Sequence, residues 1–154
     1  MAMKYLTFGL VSLALCSTGL TRTPGDEAAA RKPVESFYTA FNQGFIGAAE
    51  FAAEDWAHIN PYGGWTRGRE NVLKEVRGVH STFLKDVSEA VEEMEVRFAS
   101  KDVAVVTVIS KASPFTSPDG IKHDNERFIR TFVVAKRGAQ WLVIQDQNTY
   151  VRMP

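Results

Sequence analysis

The chain has 154 residues, of which 45% are hydrophobic and 23% are charged, and this composition excludes a disordered chain and a membrane-embedded one. Eighteen basic residues balance eighteen acidic ones, so the formal net charge is zero. Because binding to nucleic acid or to an anionic lipid surface requires an excess of positive charge, we predict neither kind of partner.

The first residues have the order of a secretory signal. Lys4 supplies a positive charge, residues 5–15 form an uncharged apolar run, and small and polar residues follow. The run is shorter than the ~20 residues that span a bilayer, so we predict an exported protein, periplasmic or secreted, with a signal over residues 1–20 and no membrane span. Cys16, the only cysteine, stands in a partial lipoprotein motif. A lipid anchor at Cys16 and an ordinary buried N-terminal helix are the alternatives.

Helical signals dominate the first half of the remaining chain. Residues 21–30 are predicted to form a tether before a domain over residues 31–154. A helix is predicted over residues 32–41, with Pro33 in its first turn, and a short second helix over residues 48–53. A third helix begins near Gly68. The first and third helices are indicated by apolar stripes, which consist of Val34, Phe37, Tyr38 and Phe41 and of Val72, Val76, Val79 and Phe83.

The second half of the chain is predicted to form a β-sheet. After a short strand over residues 56–60, β-branched and apolar segments separated by turn residues predict four strands over residues 87–98, 103–111, 127–136 and 141–151. Helices followed by an antiparallel meander indicate an α+β fold. The last strand carries apolar residues on both faces, so we predict that helices cover one face and a second subunit covers the other.

Several short segments occur in an order and spacing typical of a known family. They are Phe41-Asn42-Gln43-Gly44, Phe51-Ala52-Ala53-Glu54-Asp55, Asn60-Pro61-Tyr62-Gly63, Arg67-Gly68-Arg69-Glu70, and Trp141-Leu142-Val143-Ile144 followed by Asn148-Thr149. From about residue 31 to the C-terminus, the chain resembles the SnoaL-like group of the nuclear transport factor 2-like superfamily, close to the SgcJ/EcaC subgroup. The resemblance implies a cone-shaped α+β fold. In it, three N-terminal helices pack on a curved, mainly antiparallel sheet, a pocket opens at one end, and a homodimer forms through the sheet.

Members of that superfamily include isomerases, cyclases, dehydratases, epoxide hydrolases and non-catalytic binding modules, so the fold alone assigns no activity. Ketosteroid isomerase uses an aspartate base with a tyrosine and a protonated aspartic acid as oxyanion donors. The resemblance aligns these three groups with Asn60, with Phe37, and with Arg130 or Thr131. An amide has no useful basicity, Phe37 has no hydroxyl group, and neither candidate for the third position is an acid. We therefore predict that the chain lacks ketosteroid isomerase chemistry.

Two residues are candidate catalytic bases. His58 shares a strand face with Trp56 and Asn60, and it titrates near neutral pH, although a hydrogen-bonded structural role is equally compatible with the pattern. Asp146 would be a base if it faced inward, but strict alternation from Trp141 turns it outward, toward the predicted dimer contact. The predicted ligand-binding set contains His58, Asn60, Tyr62, Trp65, Phe83, Gln145 and Gln147. In the resembled subgroup, a histidine commonly stands where this chain has Gln147.

The other histidines give no sign of a site. His80 lies beside an apolar helical stripe, which predicts a packed histidine, and His123 lies in a polar turn, which predicts a solvated one. Three histidines on three separate elements do not have metal-ligand spacing, so we predict no metal and no cofactor.

These observations lead to three hypotheses about function. The first is an exported domain that binds a small hydrophobic molecule in its pocket, without ketosteroid isomerase chemistry. The second is an isomerase, cyclase or lyase that uses His58 or Asp146 as its base, and the third is a dimeric protein-interaction module. A connected, charged network around His58 would favour the enzyme, a sealed apolar cavity would favour binding, and a filled interior would favour the interaction module.

Overall fold

The computed structural model describes residues 23–151, and the predicted signal and the predicted lipid anchor at Cys16 lie outside this range. The described chain forms the helices α1 (Pro24–Asn42) and α2 (Arg69–His80). Its strands are β1 (Ala52–Ile59), β2 (Trp65–Arg67), β3 (Glu89–Ser100), β4 (Val103–Ala112), β5 (Phe115–Thr116), β6 (Lys122–His123), β7 (Arg127–Arg137) and β8 (Gln140–Tyr150).

Six strands form one sheet in the order β2-β1-β8-β7-β4-β3, while β5 and β6 make a separate hairpin. Neighbouring strands are antiparallel except for β1 and β8, which run parallel. Helix α1 packs across β3, β4, β7 and β8, and α2 packs against β1 and β2. The fully buried rings of Phe37, Trp56 and Phe132 lie at the centre of the core between the helices and the sheet. This arrangement confirms the predicted α+β class and the four predicted long strands.

Helix α1 begins earlier than the sequence suggested, so residues 24–30 belong to a helix and not to a tether. Thr23 caps the helix: its hydroxyl oxygen accepts from the Asp26 amide at 3.2 Å, and the Asp26 carboxylate accepts from the Thr23 amide at 3.1 Å. This reciprocal pair satisfies backbone donors that a helix start otherwise leaves free. Pro33 consequently lies inside the helix and not in its first turn.

The short helix predicted over residues 48–53 does not form, so the described chain has two helices instead of three. The chain turns through Gly44, Phe45 and Gly47, all with positive φ angles. It then pairs with the sheet: the Phe51 carbonyl accepts from the Val143 amide at 2.8 Å, and β1 starts at Ala52. This pairing outweighs the helix propensity of a segment too short to sustain a helix alone.

A β-bulge in β8 decides which side chains face the interior. Val143 pairs with Val134 and Gln145 pairs with Val133, so Ile144 is an extra residue opposite the β7 ladder. An extra residue reverses the alternation of faces beyond it. Val143 and Asp146 are both fully buried, whereas Gln145 and Gln147 are exposed. The prediction that Asp146 faces outward was therefore wrong.

Among residues 23–151, no helix combines the length and the apolar character needed to cross a bilayer.

Candidate functional site

A cavity of about 270 Å³ lies between the ends of the two helices and the inner face of the sheet. Its walls are largely apolar, and they include Phe37, Phe41, Phe45, Val76, Val79, Phe83, Leu84 and Phe128. Phe115 and Pro118, from the segment that contains the β5–β6 hairpin, also line it, as do Tyr62 and Tyr150, whose hydroxyl oxygens lie 2.9 Å apart. The volume is just below the ~300–1,000 Å³ typical of pockets for drug-sized molecules, which suits a small ligand.

A histidine–carboxylate pair stands at the wall of this cavity. His58 comes from β1 and Asp146 from the parallel strand β8, where the two residues are register partners. His58 Nδ1 lies 3.0 Å and 2.9 Å from the two Asp146 carboxylate oxygens. Trp56 Nε1 donates to Asp146 Oδ1 at 2.9 Å. Because the carboxylate occupies Nδ1, the ring nitrogen that remains for a ligand is Nε2.

A buried arginine extends this pair into a network. Arg130 on β7 lies 3.9 Å from the Asp146 carboxylate and 3.5 Å from Glu89, and the side chains of all three are at most 3% exposed. Ser110 donates to Glu89 at 2.7 Å. Burial opposes the charge of Arg130, but the negative groups around it, Glu89 first, outweigh burial and raise the pKa of the guanidinium above its ordinary value. The otherwise apolar lining of the cavity therefore contains a buried ion pair, Arg130 with Glu89.

The Arg130 guanidinium also lies over aromatic rings of α1, 4.6 Å from the centroid of Phe37 and 5.9 Å from that of Tyr38. Burial raises the pKa of the Tyr38 phenol to about 12, although Arg130 opposes the shift. Tyr38 is thus a neutral phenol beside the network at neutral pH. Tyr38 does not line the cavity; Phe37 does.

Asn60 lies at the edge of the cavity and supports its own turn. Its Oδ1 accepts from the amides of Tyr62 at 3.1 Å and Gly64 at 2.9 Å, and its Nδ2 donates to Glu75 at 3.0 Å. The second Glu75 oxygen accepts from the Thr66 hydroxyl. Asn60 therefore links the turn after β1 to helix α2, and neither of its amide atoms is positioned to take a proton.

The residues predicted to bind a ligand divide into two groups. His58, Asn60, Tyr62 and Phe83 line the cavity. Gln145 and Gln147 instead lie on the exposed outer face of β8, because the bulge at Ile144 reverses the alternation on which their assignment depended. Trp65 is 59% exposed on β2, outside the cavity, where the Arg67 guanidinium lies 3.6 Å from its ring centroid.

Of the remaining histidines, His80 is packed as predicted. It lines the cavity at the end of α2, with its ring 4.5 Å from Phe41 and 5.4 Å from Phe45, centroid to centroid. Burial, together with the positive charge of Arg130, lowers the pKa of His80 to about 4. His80 is therefore uncharged at neutral pH.

The prediction of a solvated His123 was wrong. Its side chain is 12% exposed and stacks on Phe115 at a centroid distance of 4.5 Å. Its Nδ1 lies 3.0 Å from a Glu126 carboxylate oxygen, and its Nε2 lies 3.0 Å from the Ser117 hydroxyl. The polar residues around His123 predicted a solvated turn, but His123 packs within the β5–β6 hairpin and holds it beside the cavity.

Sequence reasoning missed three polar residues that line the cavity: Glu89, Arg130 as a member of a charged network, and Asn148. A signal was present for one of them. Arg130 alternates with the apolar residues Phe128 and Phe132, so it is a charge on an otherwise apolar strand face, whereas Glu89 begins a strand with several other charged residues. Asn148 carried no such signal, because it faces inward only as a result of the bulge.

Comparisons with known proteins find similarity in structure only. No family model matches the sequence, and no curated protein matches it. An uncharacterised protein with a cystatin-like fold from Caulobacter vibrioides superposes with a TM-score of 0.77 at 22% identity, covering 83% of this chain and 91% of that one. A ketosteroid isomerase-like protein from Erwinia carotovora atroseptica gives 0.70 at 18% identity, with coverages of 85% and 100%.

A third structure, a nuclear transport factor 2-like protein with a cystatin-like fold from Novosphingobium aromaticivorans, gives a TM-score of 0.69 at 15% identity and covers 84% of each chain. Identities this low carry information about the fold and not about activity. The assignment to the SgcJ/EcaC subgroup stays a prediction. The chain has the cystatin-like fold of nuclear transport factor 2-like proteins.

Proposed function

We propose that the cavity binds a small, largely apolar molecule and that His58, oriented by Asp146, transfers a proton to or from it. The observation that carries this proposal is the buried His58–Asp146 pair at the wall of an otherwise apolar cavity. A carboxylate that accepts from Nδ1 fixes the tautomer and the orientation of the ring, which leaves Nε2 as a base toward a bound molecule.

The charged network around His58 favours this function over passive binding. Asp146 is held by Trp56, by His58 and by the charge of Arg130, so the ring has a defined position before any ligand arrives. A positioned base of this kind contributes about 10²–10⁴-fold to a proton transfer. The reaction class is therefore an isomerisation or elimination that begins with removal of a proton from carbon, by a mechanism that does not use the vacant base position at Asn60.

The proposal can be tested without knowing the natural substrate. The neutral bicyclic probe 5-nitrobenzisoxazole loses its C3 proton to a base as its N–O bond breaks, and the nitrophenolate product is coloured. We expect the wild-type protein to accelerate this elimination over buffer, and His58→Gln to reduce the rate by about 10²-fold or more. Asp146→Asn should cause a smaller loss, because the base remains but its orientation is weakened.

Asp55→Asn is the control, since Asp55 also pairs with a cationic side chain, that of Arg137 at 3.4 Å, but it is 69% exposed and does not line the cavity. This variant should keep the wild-type rate. Equal rates for the wild-type protein and His58→Gln would refute the role of His58 as a base. Binding of the probe, followed by chemical shift changes at cavity residues, reports separately on the pocket.

Binding without catalysis is the second candidate, and one observation favours it. The amide of Asn60 is fully engaged by Tyr62, Gly64 and Glu75, and the resemblance aligns all three groups of the ketosteroid isomerase proton shuttle with residues that cannot perform it. A protein that binds the probe and leaves it intact would establish this alternative.

We propose further that the protein is exported and acts as a homodimer. The apolar run over residues 5–15 supports export, and the apolar outer face of the sheet supports dimerisation. Mass spectrometry of protein from its native host should show loss of about the first 20 residues, or a lipid on Cys16 if the alternative holds. An intact Met1 would contradict export through a cleaved signal.

A further inference from the structure

We propose that the cavity selects a small organic cation, an amine or ammonium group on an apolar body, and discriminates against anions. This inference rests on the proposed function, since it concerns the ligand of the same cavity. Its basis is the balance of charge around the cavity together with the position of the C-terminal turns of the two helices.

Carboxylates outnumber cations in and directly behind the cavity wall. Glu75 and Glu89 line the cavity, and Asp146 lies behind His58 in contact with Arg130. Arg130 is the one arginine or lysine that lines the cavity among the described residues. Carboxylates therefore outnumber guanidinium groups by three to one, and His80 adds no positive charge at pH 7, because burial and the charge of Arg130 lower its pKa to about 4. An anionic ligand would add a further negative charge to a site of low dielectric.

The C-terminal turns of both helices lie beside the same cavity. Phe41 in the last turn of α1 lines the cavity, as do Val79 and His80 in the last turn of α2. A helix carries about half a negative charge at its C-terminus, so cations are stabilised there and anions are not. This contribution comes from the backbone and is independent of the side-chain carboxylates.

The lining supplies partners for an ammonium group. Aromatic faces attract cations, and the cavity is lined by six phenylalanines and two tyrosines: Phe37, Phe41, Phe45, Phe83, Phe115, Phe128, Tyr62 and Tyr150. Asn148 also lines the cavity and is 7% exposed, and its Oδ1 has no hydrogen-bond partner within residues 23–151. That oxygen is an acceptor, so it is suited to the N–H of an amine and not to a carboxylate. The charge of Arg130, the group that could attract an anion, is balanced by Glu89 at 3.5 Å and Asp146 at 3.9 Å, although its Nε has no hydrogen-bond partner within residues 23–151.

The test uses three probes of similar size and different charge: benzylammonium, benzyl alcohol and benzoate. Their dissociation constants are measured at pH 7 by NMR titration of the amides of cavity residues such as Val76 and Val79. With net negative charge within several ångströms of the ligand, we expect benzoate to bind roughly tenfold or more weakly than benzyl alcohol, and benzylammonium to bind most tightly.

Glu75→Gln removes one cavity charge, so it should reduce the preference for benzylammonium over benzoate by several-fold. Glu93→Gln makes the same change of charge on the exposed part of β3, away from the cavity, and should leave that preference unchanged. Benzoate binding as tightly as benzyl alcohol, or the same effect from both substitutions, would overturn the inference while the pocket itself stands. If even benzyl alcohol shifts no cavity amide, the proposed pocket function fails and this inference fails with it.

Discussion

At the scale of single residues, Asp146 is a fully buried carboxylate whose desolvation is compensated by three side chains. Trp56 and His58 lie within 3.0 Å of it, and Arg130 lies 3.9 Å away. Removing one partner from a buried ionic group leaves the remaining charge uncompensated, which costs more than the pair itself contributes. The same contacts that position His58 therefore make the site a determinant of stability.

We expect Asp146→Asn to lower the free energy of unfolding by about 3–5 kcal/mol, because Arg130 would keep only Glu89 as a close counter-charge. Asp55→Asn is the matched control: Asp55 pairs with Arg137 at 3.4 Å, but its side chain is 69% exposed. The control should change stability by no more than about 0.5 kcal/mol. Urea unfolding followed by circular dichroism measures both, and equal losses would contradict a network stabilised by burial.

Asn60, which the resemblance aligns with the base of ketosteroid isomerase, gives a second prediction at this scale. In Asn60→Asp, one carboxylate oxygen would replace the Nδ2 that now donates to Glu75 at 3.0 Å. Two carboxylates at that distance cannot both be ionised at ordinary pH, so the pKa of one member of the pair should rise well above 4. NMR titration of the side-chain carboxyl carbons reads this directly.

We expect neither the wild-type protein nor Asn60→Asp to isomerise a Δ5-3-ketosteroid appreciably. The substitution restores a carboxyl group, but Phe37 still has no hydroxyl, and the loss of one oxyanion donor costs about 10²–10³ in rate. Two carboxyls that both titrate near 4 would show that position 60 is open to solvent. Strong isomerase activity of the wild-type protein would require a base other than Asn60 and would contradict the alignment.

At the scale of elements, the two strands that supply the catalytic candidates meet through a parallel pairing. β1 and β8 are far apart in the chain, and their register sets His58 beside Asp146. The Ile144 bulge then turns Asp146, Asn148 and Tyr150 inward, so one extra residue adds Asn148 and Tyr150 to the lining of the cavity and brings Asp146 to His58. Bulges commonly redirect side chains next to functional sites in this way.

Helix α2 gives a prediction about pH, because its last residue is the buried His80. The folded-state pKa of His80 is lowered to about 4 from its ordinary value of 6.5, so the unfolded chain takes up this proton first as pH falls. The destabilisation therefore starts as pH falls below about 6.5 and is complete below about 4. Stability rises with pH across that window.

We expect the stability difference between the wild-type protein and His80→Gln to change in favour of the variant as pH falls from 7 to 4. The midpoints of urea unfolding, measured at intervals of half a pH unit, test this. The effects of carboxylates that titrate in both proteins cancel in the difference between them. A difference that is constant with pH would mean that His80 can be protonated in the folded state without cost.

At the scale of the whole molecule, the outer face of the sheet carries several apolar residues that the monomer leaves uncovered. It carries half-buried or exposed residues on three adjacent strands, among them Val105, Ile109, Ile129, Val133 and Leu142. The helices cover only the opposite face, so this surface is available for a second subunit. The surface is the basis for the proposed homodimer.

Replacing both Leu142 and Ile144 with Lys should convert the proposed dimer into monomers, because two charges would otherwise be buried without partners. Size-exclusion chromatography with light scattering gives the mass directly. Ile46→Lys is the control, since Ile46 is 84% exposed on the loop before β1. A wild-type monomer at micromolar concentration would refute the dimer.

The sequence by itself determined the α+β class, helix α2 and the four long strands. Their patterns are local and strong: Val72, Val76 and Val79 follow the helical repeat, and β4 contains a continuous run of β-branched residues from Val105 to Ile109. Alternation also placed His58 and Asn60 on one face of the predicted strand over residues 56–60, and both line the cavity. These features could be predicted because each depends on residues close together in the chain.

The tertiary structure alone decided the rest of the site. The bulge in β8 is defined only by its pairing with β7. It turns Asp146 inward and Gln145 and Gln147 outward, the reverse of the faces that the sequence predicted. Residues 48–53 lost their predicted helix to pairing with β8. Glu89, Arg130 and Asp146 come from three different strands, and no local pattern shows that they meet. Strand register and long-range charge pairing arise from contacts between distant segments, and local propensity does not encode them.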